Sequence, residues 1–279
     1  MNDVRIARLS AAALASAILL LAAGAARANP RPLPFTYQSE TLPTGAVEVE
    51  QFVDMQPLRS RLADGSVVWV LPPEFTTEFE VGVTDRLELG LYVTMVPGFG
   101  SEAFAPPPSI SDNGAKQRVR YRLADPGAWP LDVALYGEVS ETSHEVELEG
   151  KIILQRRIGA LRLITNLWAE RELYLDGRRE WVANPTLGAT VELSPRYSVG
   201  FEGWMRWEHP DAGGPKEFND GPHVFVGPAF LASFGRLWWS TGVYGRVTDF
   251  SRTTQAGDGK SAGDAYGHVW VRTIIGLAL

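Results

Sequence analysis

From Val47 onward, apolar and polar residues alternate in runs of about ten, each closed by a turn. Alternation at a period of two puts neighbouring side chains on opposite faces of a strand. The hairpin Phe75–Met95 shows it best. Phe75, Thr77, Phe79, Val81 and Val83 share one face, and Thr76, Glu78, Glu80 and Gly82 the other. After Thr84-Asp85-Arg86, Leu87, Leu89, Leu91, Val93 and Met95 continue the apolar face. Helical periodicity is nearly absent. Runs at Val47–Val53, Phe75–Val83, Leu87–Met95, Lys116–Leu123, Leu131–Val139 and Val146–Leu154 predict the first six strands. Those at Leu161–Ala169, Trp181–Leu193, Tyr197–Trp207, Val224–Ala232, Leu237–Val247 and Ala265–Leu279 bring the count to twelve.

The connections alternate as well. Those centred on Asp85, Gly127, Gly159, Pro195 and Gly235 are short. Those at Gln56–Pro72, Pro97–Gly114, His209–Pro222 and Asp249–Gly263 are long, polar and rich in Gly and Pro, with short ones near Ser143 and Asp176-Gly177 on the same side. An even strand count, short turns at one end and longer loops at the other describe an outer-membrane barrel. About 9–11 tilted residues suffice to cross a bilayer. The expected fold is therefore all-β, an antiparallel transmembrane β-barrel of twelve strands with both termini at the periplasmic end. A soluble sandwich would bury the same faces, but it needs neither the alternating connections nor charges on one face of nearly every strand. Trp181, Tyr197, Trp207 and Trp239 fall on the apolar face near strand ends, where interfacial aromatic girdles belong. Val271, Thr273, Ile275, Leu277 and Leu279 carry the alternation to the end of the sequence, as in the strand read by the barrel-insertion machinery. That signal usually closes on Phe or Trp, and Leu279 departs from it.

The first 28 residues read as a secretory signal peptide. Arg5 and Arg8 precede an apolar run, Leu9–Leu21, and Ala26-Arg27-Ala28 offers the small residues a signal peptidase recognises. Cleavage is expected after Ala28, leaving residues 29–45 as a periplasmic N-terminal segment and 46–279 as the barrel. Removing residues 1–28 takes the net charge from −7 to −9, because Arg5, Arg8, Arg27 and Asp3 leave with them. Such acidity argues against nucleic acid as a partner. The absence of cysteine excludes disulfides and thiolate-ligated metals.

Parity places Glu48, Glu50, Asp54, Glu78, Glu80, Glu88, Asp132, Glu138, Glu147, Glu149, Glu170, Glu192, Glu202 and Glu208 on the inner face. The bases there are Lys116, Arg118, Arg120, Arg122, Lys151, Arg162, Arg206, Arg246 and Arg272. A charge facing mid-bilayer lipid costs about 2–4 kcal/mol for Arg or Lys, so all are expected inside. The comb Lys116–Arg118–Arg120–Arg122 has two readings. It is a selectivity element, or it is neutralised across the hairpin, with Lys116 facing Glu138 and Arg122 facing Asp132 about a turn centred near Gly127. A narrow path for small solutes through a mildly acidic lumen is the expected function. A closed structural or adhesive barrel is one alternative and an outer-membrane lipid-modifying enzyme another. His144, His209 and His223 fall in or beside outer connections and His268 points inward, none in a Ser/His motif. No catalytic residue, metal or cofactor is expected. Expected partners are outer-membrane lipid and lipopolysaccharide, the insertion machinery through the C-terminal strand, and small solutes.

Phe35-Thr36-Tyr37, Glu40-Thr41-Leu42-Pro43-Thr44-Gly45 and Val47-Glu48-Val49-Glu50-Gln51 resemble the start of the outer-membrane proteins of the phenol-degradation meta-pathway family. Val83-Thr84-Asp85-Arg86-Leu87-Glu88-Leu89-Gly90 resembles their repeated short-turn hairpin. The resemblance covers roughly the first third of the mature chain and implies an outer-membrane barrel with a transport role. It assigns no functional residue.

Overall fold

A computed structural model describes residues 28–61, 66–71, 73–95, 114–211, 222–247 and 268–279. The leader and most of the four long connections lie outside the described residues. The strands are β1 (Val47–Met55), β2 (Leu58–Arg61), β3 (Val67–Val70), β4 (Pro73–Thr84) and β5 (Leu87–Met95). Next come β6 (Gly114–Arg122), β7 (Asp132–Thr142), β8 (Glu145–Ile158), β9 (Leu161–Tyr174) and β10 (Arg179–Ala183). The chain ends with β11 (Thr186–Ser194), β12 (Tyr197–Pro210), β13 (His223–Phe234), β14 (Leu237–Arg246) and β15 (Val269–Ala278).

Apart from β2 and β3, which form a separate hairpin, every strand lies in one antiparallel sheet. The sheet closes where β1 pairs with β15, with Glu48 opposite Ala278 and Met55 opposite Val271. The expected single strand Trp181–Leu193 is interrupted at Asn184-Pro185. β10 and β11 share one position between β9 and β12. Proline has no N–H for the ladder, yet Asn184 N–H still donates to the Trp168 carbonyl and the Pro185 carbonyl still accepts from Met205. The barrel thus has twelve staves. Among the described residues no helix is long and apolar enough to cross a membrane; the strands are what could cross.

The two faces of each stave meet different surroundings. Phe79, Leu89, Leu135, Leu148 and Val243 point outward and are 43–49% exposed, while Glu78, Glu80 and Glu88 point inward and are at most 2% exposed. An apolar belt of this size suits hydrocarbon rather than water. Trp181 and Trp207 stand outward near the loop end, and Tyr197 and Trp239 near the short-turn end.

Two expectations need correction. The hairpin β6–β7 is shifted by two residues: Lys116 faces Ser140, Arg118 faces Glu138, and Arg122 faces Ala134 rather than Asp132. Its turn is centred nearer Ala128, because Asp132 turns back to accept from Gly127 N–H (2.6 Å) and the ladder resumes with Leu123 on Val133. More consequentially, residues 29–45 do not form a periplasmic extension. Most of the segment enters the barrel, where Arg31, Leu33, Phe35, Tyr37 and Leu42 are all buried. Inside a lumen lined with carboxylates, the strap supplies backbone N–H groups and an arginine as partners.

Candidate functional site

The strap is irregular, bending over residues 32–36, and proline-rich, with Pro30, Pro32 and Pro34 at alternate positions. Each proline removes a donor that the interior would otherwise have to satisfy. Several remaining N–H groups meet wall side chains. Those of Phe35 and Thr36 donate to Glu202 on β12 (3.2 and 2.9 Å), which also accepts from the Tyr244 hydroxyl. Tyr37 N–H donates to Asn166 Oδ1 (2.8 Å), Ser39 N–H to Gln155 Oε1 (3.3 Å) and Leu42 N–H to Glu88 Oε2 (2.7 Å). No backbone-to-backbone bond joins residues 29–42 to a strand among the described residues. Pairing of that kind begins only at Gly45, whose φ of 79° turns the chain into β1 and whose N–H donates to Gly82 (2.7 Å). Gly82 is required here, since a Cβ would strike the carbonyls of Leu42 and Pro43.

Side chains of the strap complete the lumen. Arg31 reaches Glu50 (3.2 Å) and Glu78 (3.6 Å) and lies 4.0 Å over the Tyr37 ring. Tyr37 shares a hydroxyl contact with Tyr92 (3.0 Å) and stands beside the Lys151 ammonium (4.1 Å from the ring centroid). Phe35 enters an aromatic cluster: it stacks on Trp204 (4.6 Å between centroids), meets Tyr244 and Trp270 edge-on, and carries the Arg272 guanidinium on its face (3.8 Å). Leu33 fills the space left by Gly188 and Gly200 on adjacent strands.

The basic comb divides. Arg118 points away from Glu138 and into β4 and β5, contacting Glu78 (2.5 Å), Glu80 and Glu88 (2.7 Å). Arg120 also meets Glu88 (2.6 Å) and approaches the Gln38 carbonyl of the strap (3.5 Å). Lys116 does contact Glu138 (3.2 Å), diagonally across the shifted register. Arg122 bonds the Asp85 carbonyl (2.7 Å) and lies 3.6 Å from Asp125, at the short-turn end. Arg272 pairs with Asp54 (2.8 Å).

Acids crowd the half nearer the loops. Glu138, Glu149 and Glu170 lie opposite one another across β7, β8 and β9, and Glu147 lies opposite Glu172. Arg206 answers Glu170, Glu172 and Glu208 (2.5–3.0 Å), and Lys151 answers Glu149 (2.6 Å). Carboxylate oxygens of Glu50, Glu78 and Glu80, of Glu138, Glu147 and Glu149, and of Glu147, Glu170 and Glu172 each fall within 4.8 Å of one another, close enough to share a cation. Arg31 and Arg118 already neutralise the first group. Glu192, expected inside, stands exposed at the barrel mouth near Arg157. His223 is buried rather than solvated; His144 and His209 are exposed, and His268 lies 3.2 Å from Arg246. At the short-turn end, a cavity of about 710 Å³ is lined by Glu40, Trp129, Asp132, Gln155, Arg156 and Arg157, among others.

A closed twelve-stave barrel, apolar outside and charged inside, belongs to the class of outer-membrane-type β-barrels. It is similar to an outer membrane channel from Pseudomonas putida F1, with 11% identity and a TM-score of 0.56 over 86% of this chain and 98% of that one. It is also similar to the NanC porin, with 10% identity and a TM-score of 0.50 over 84% of this chain and all of that one. At these identities the likeness establishes the fold. No family model and no curated protein sequence matches the chain.

Proposed function

We propose that this chain is exported by a cleaved leader, inserted into the outer membrane through its C-terminal strand, and serves there as a channel for small hydrophilic solutes whose bore is set by the strap. Lipid and lipopolysaccharide cover the apolar belt. The observation that carries the reading is how the strap is held. Residues 29–42 hang on side chains of the wall and on one glycine turn, without any strand pairing among the described residues. A segment fastened in this way can leave, or shift, without opening the barrel. Glu40, on the strap, also lines the cavity at the short-turn end, so movement of the strap would change that mouth directly. The near-complete burial of the inner charges favours a second reading, a closed structural barrel.

Planar-bilayer recording of the mature protein and of a variant lacking residues 31–42 separates the two. A channel narrowed by the strap gives small or rare steps in the first case and larger, longer steps in the second. Silence from both, with intact heat-modifiable migration on electrophoresis, would establish the closed barrel.

A further inference from the structure

Five carboxylates meet in the lumen near the seam: Glu48, Glu50, Glu78, Glu80 and Glu88, none more than 2% exposed. Three guanidiniums face them. Arg31 serves Glu50 and Glu78, Arg118 serves Glu78, Glu80 and Glu88, and Arg120 serves Glu88. Glu48 is the one of the five with no ion pair among the described residues. Its oxygens are met by two neutral donors: Trp238 Nε1 at 2.5 Å and the backbone N–H of Asn29 at 2.9 Å. Burying a carboxylate is costly unless it is paired, so the identity of the second donor matters.

Asn29 is also the residue that follows the expected cleavage point. Water adding across the Ala28–Asn29 amide releases the leader with a carboxylate on Ala28 and leaves a primary amine on Asn29. That amine has an ordinary pKa of about 7.7–8.0 and is mostly protonated at neutral pH. The nitrogen in question already lies 2.9 Å from Glu48. It is also held in place, because Gln38 Nε2 donates to Asn29 Oδ1 (2.7 Å) and reaches the Asn29 carbonyl (3.3 Å). A hydrogen bond to a carboxylate is already roughly twice as strong as one between neutral groups, and a cationic donor adds direct charge attraction to it.

We propose that removal of the leader after Ala28 converts Asn29 into a lumenal α-ammonium ion that serves as the counter-ion of Glu48, so that processing completes the docking of the strap. This rests on the leader reading and not on whether the barrel conducts. An uncleaved or extended chain lacks the cation and holds the strap less firmly.

Mature protein isolated from outer membranes tests it. Intact-mass and N-terminal peptide measurements establish the first residue. The folded protein in detergent is then treated with a water-soluble acetylating ester, and acetylation of the Asn29 amine is followed by peptide mass spectrometry beside the same chain in urea. The expected result is at least ten-fold slower acetylation in the folded protein, with Glu48→Gln removing most of that protection. Should Glu48→Gln fail to fold, insertion of Gly-Ser between Ala28 and Asn29 displaces the amine while leaving the wall intact, and that amine should react at the unfolded rate. Equal rates in the folded and unfolded wild-type chain would overturn the proposal, as would slow reaction of the insertion variant. A mature chain starting elsewhere would overturn it through the leader reading, leaving the channel reading untouched.

Discussion

Tyr37 and Asn166 pair reciprocally: the Tyr37 N–H donates to Asn166 Oδ1 at 2.8 Å, and Asn166 Nδ2 donates back to the Tyr37 carbonyl at 2.9 Å. A side-chain amide on β9 thus does for the strap what a neighbouring strand's backbone does in a sheet. Asn166 is fully buried, so removing it leaves both groups of Tyr37 unpaired in a dry place, at about 1–3 kcal/mol. Asn166→Ala should therefore raise amide exchange at Tyr37 by roughly ten-fold or more, measured by hydrogen–deuterium exchange in detergent. Asn166→Asp keeps the acceptor and loses the donor, and should fall between. Unchanged protection in both variants would mean that the strap is held elsewhere.

Leu33 and Gly188 give a second, steric test. A Cβ at Gly188 would collide with the Leu33 side chain and crowd Glu202. Overpacking of this kind costs about 1–3 kcal/mol. Gly188→Ala should loosen the strap, seen as faster exchange over residues 33–37, and Leu33→Ala in the same chain should restore much of the protection. If Gly188→Ala lowers barrel stability and the double variant does not recover, the strain lies in the β9–β11–β12 wall instead.

Arg118 is neutralised from β4 and β5 rather than across its own hairpin. Its side chain is 0% exposed and contacts three carboxylates. Deleting one partner of a buried ionic cluster costs about 3–5 kcal/mol, since the other charges stay behind. Arg118→Gln should lower the temperature at which the folded band disappears on electrophoresis, and Glu88→Gln added to it should recover part of the loss. A neutral Arg118→Gln variant would mean that water reaches this cluster.

The staves were legible because each has one apolar and one charged face, and period-two alternation in the chain records that difference directly. Parity also separated the charged inner face from the apolar one between Glu48 and Arg272, except at Glu192, which stands exposed at the mouth. Registers were less accessible: one capping carboxylate, Asp132, moved the β6–β7 hairpin by two residues. The strap was not foreseen because its backbone pairs with side chains on distant strands, which no neighbouring stretch of the sequence records. Two signals pointed to it nonetheless. Leu33, Phe35 and Tyr37 alternate between polar or proline positions, and the inner face has more acids than bases, an excess that Arg31 narrows. Nothing in a single sequence showed that Trp204, Tyr244 and Trp270 would gather around Phe35, since they lie on three different strands.

Asp85 links the strap's hinge to pH. Its carboxylate accepts from both the N–H and the hydroxyl of Thr44 (2.9 and 2.8 Å), and these bonds hold its pKa below the ordinary 3.8, with Arg122 adding to the effect. A depressed carboxyl pKa gives stability that is present above the unfolded value and lost as pH falls through the folded one. Exchange at Thr44, corrected for its intrinsic rate, should thus be flat from pH 7 to about 5 and rise only below about pH 4. Asp85→Asn should abolish the acid rise. A transition between pH 5 and 7 would assign the linkage to another group.

On the channel reading, selectivity should reside in the half nearer the loops. Glu147 belongs to both acidic groups there, faces Glu172 across the β8–β9 ladder, and has no ion pair among the described residues. Arg206, in contrast, is spent on three carboxylates. An unpaired fixed charge beside a water path biases the ions that pass, whereas a neutralised one does not. In the strap-deleted barrel, Glu147→Gln should move the reversal potential in a salt gradient towards anions. Arg206→Gln releases Glu170 and Glu172 and should move it towards cations. Replacing Arg118 and Arg120 with Gln frees Glu78, Glu80 and Glu88 in the same way, but should leave it nearly unchanged once the loss of stability is accounted for, because that fully buried cluster lies off a path running along β7 to β9. A cation-directed shift on replacing Arg118 and Arg120, with Glu147→Gln silent, would place the ion path along β4 to β6 and away from β7 to β9.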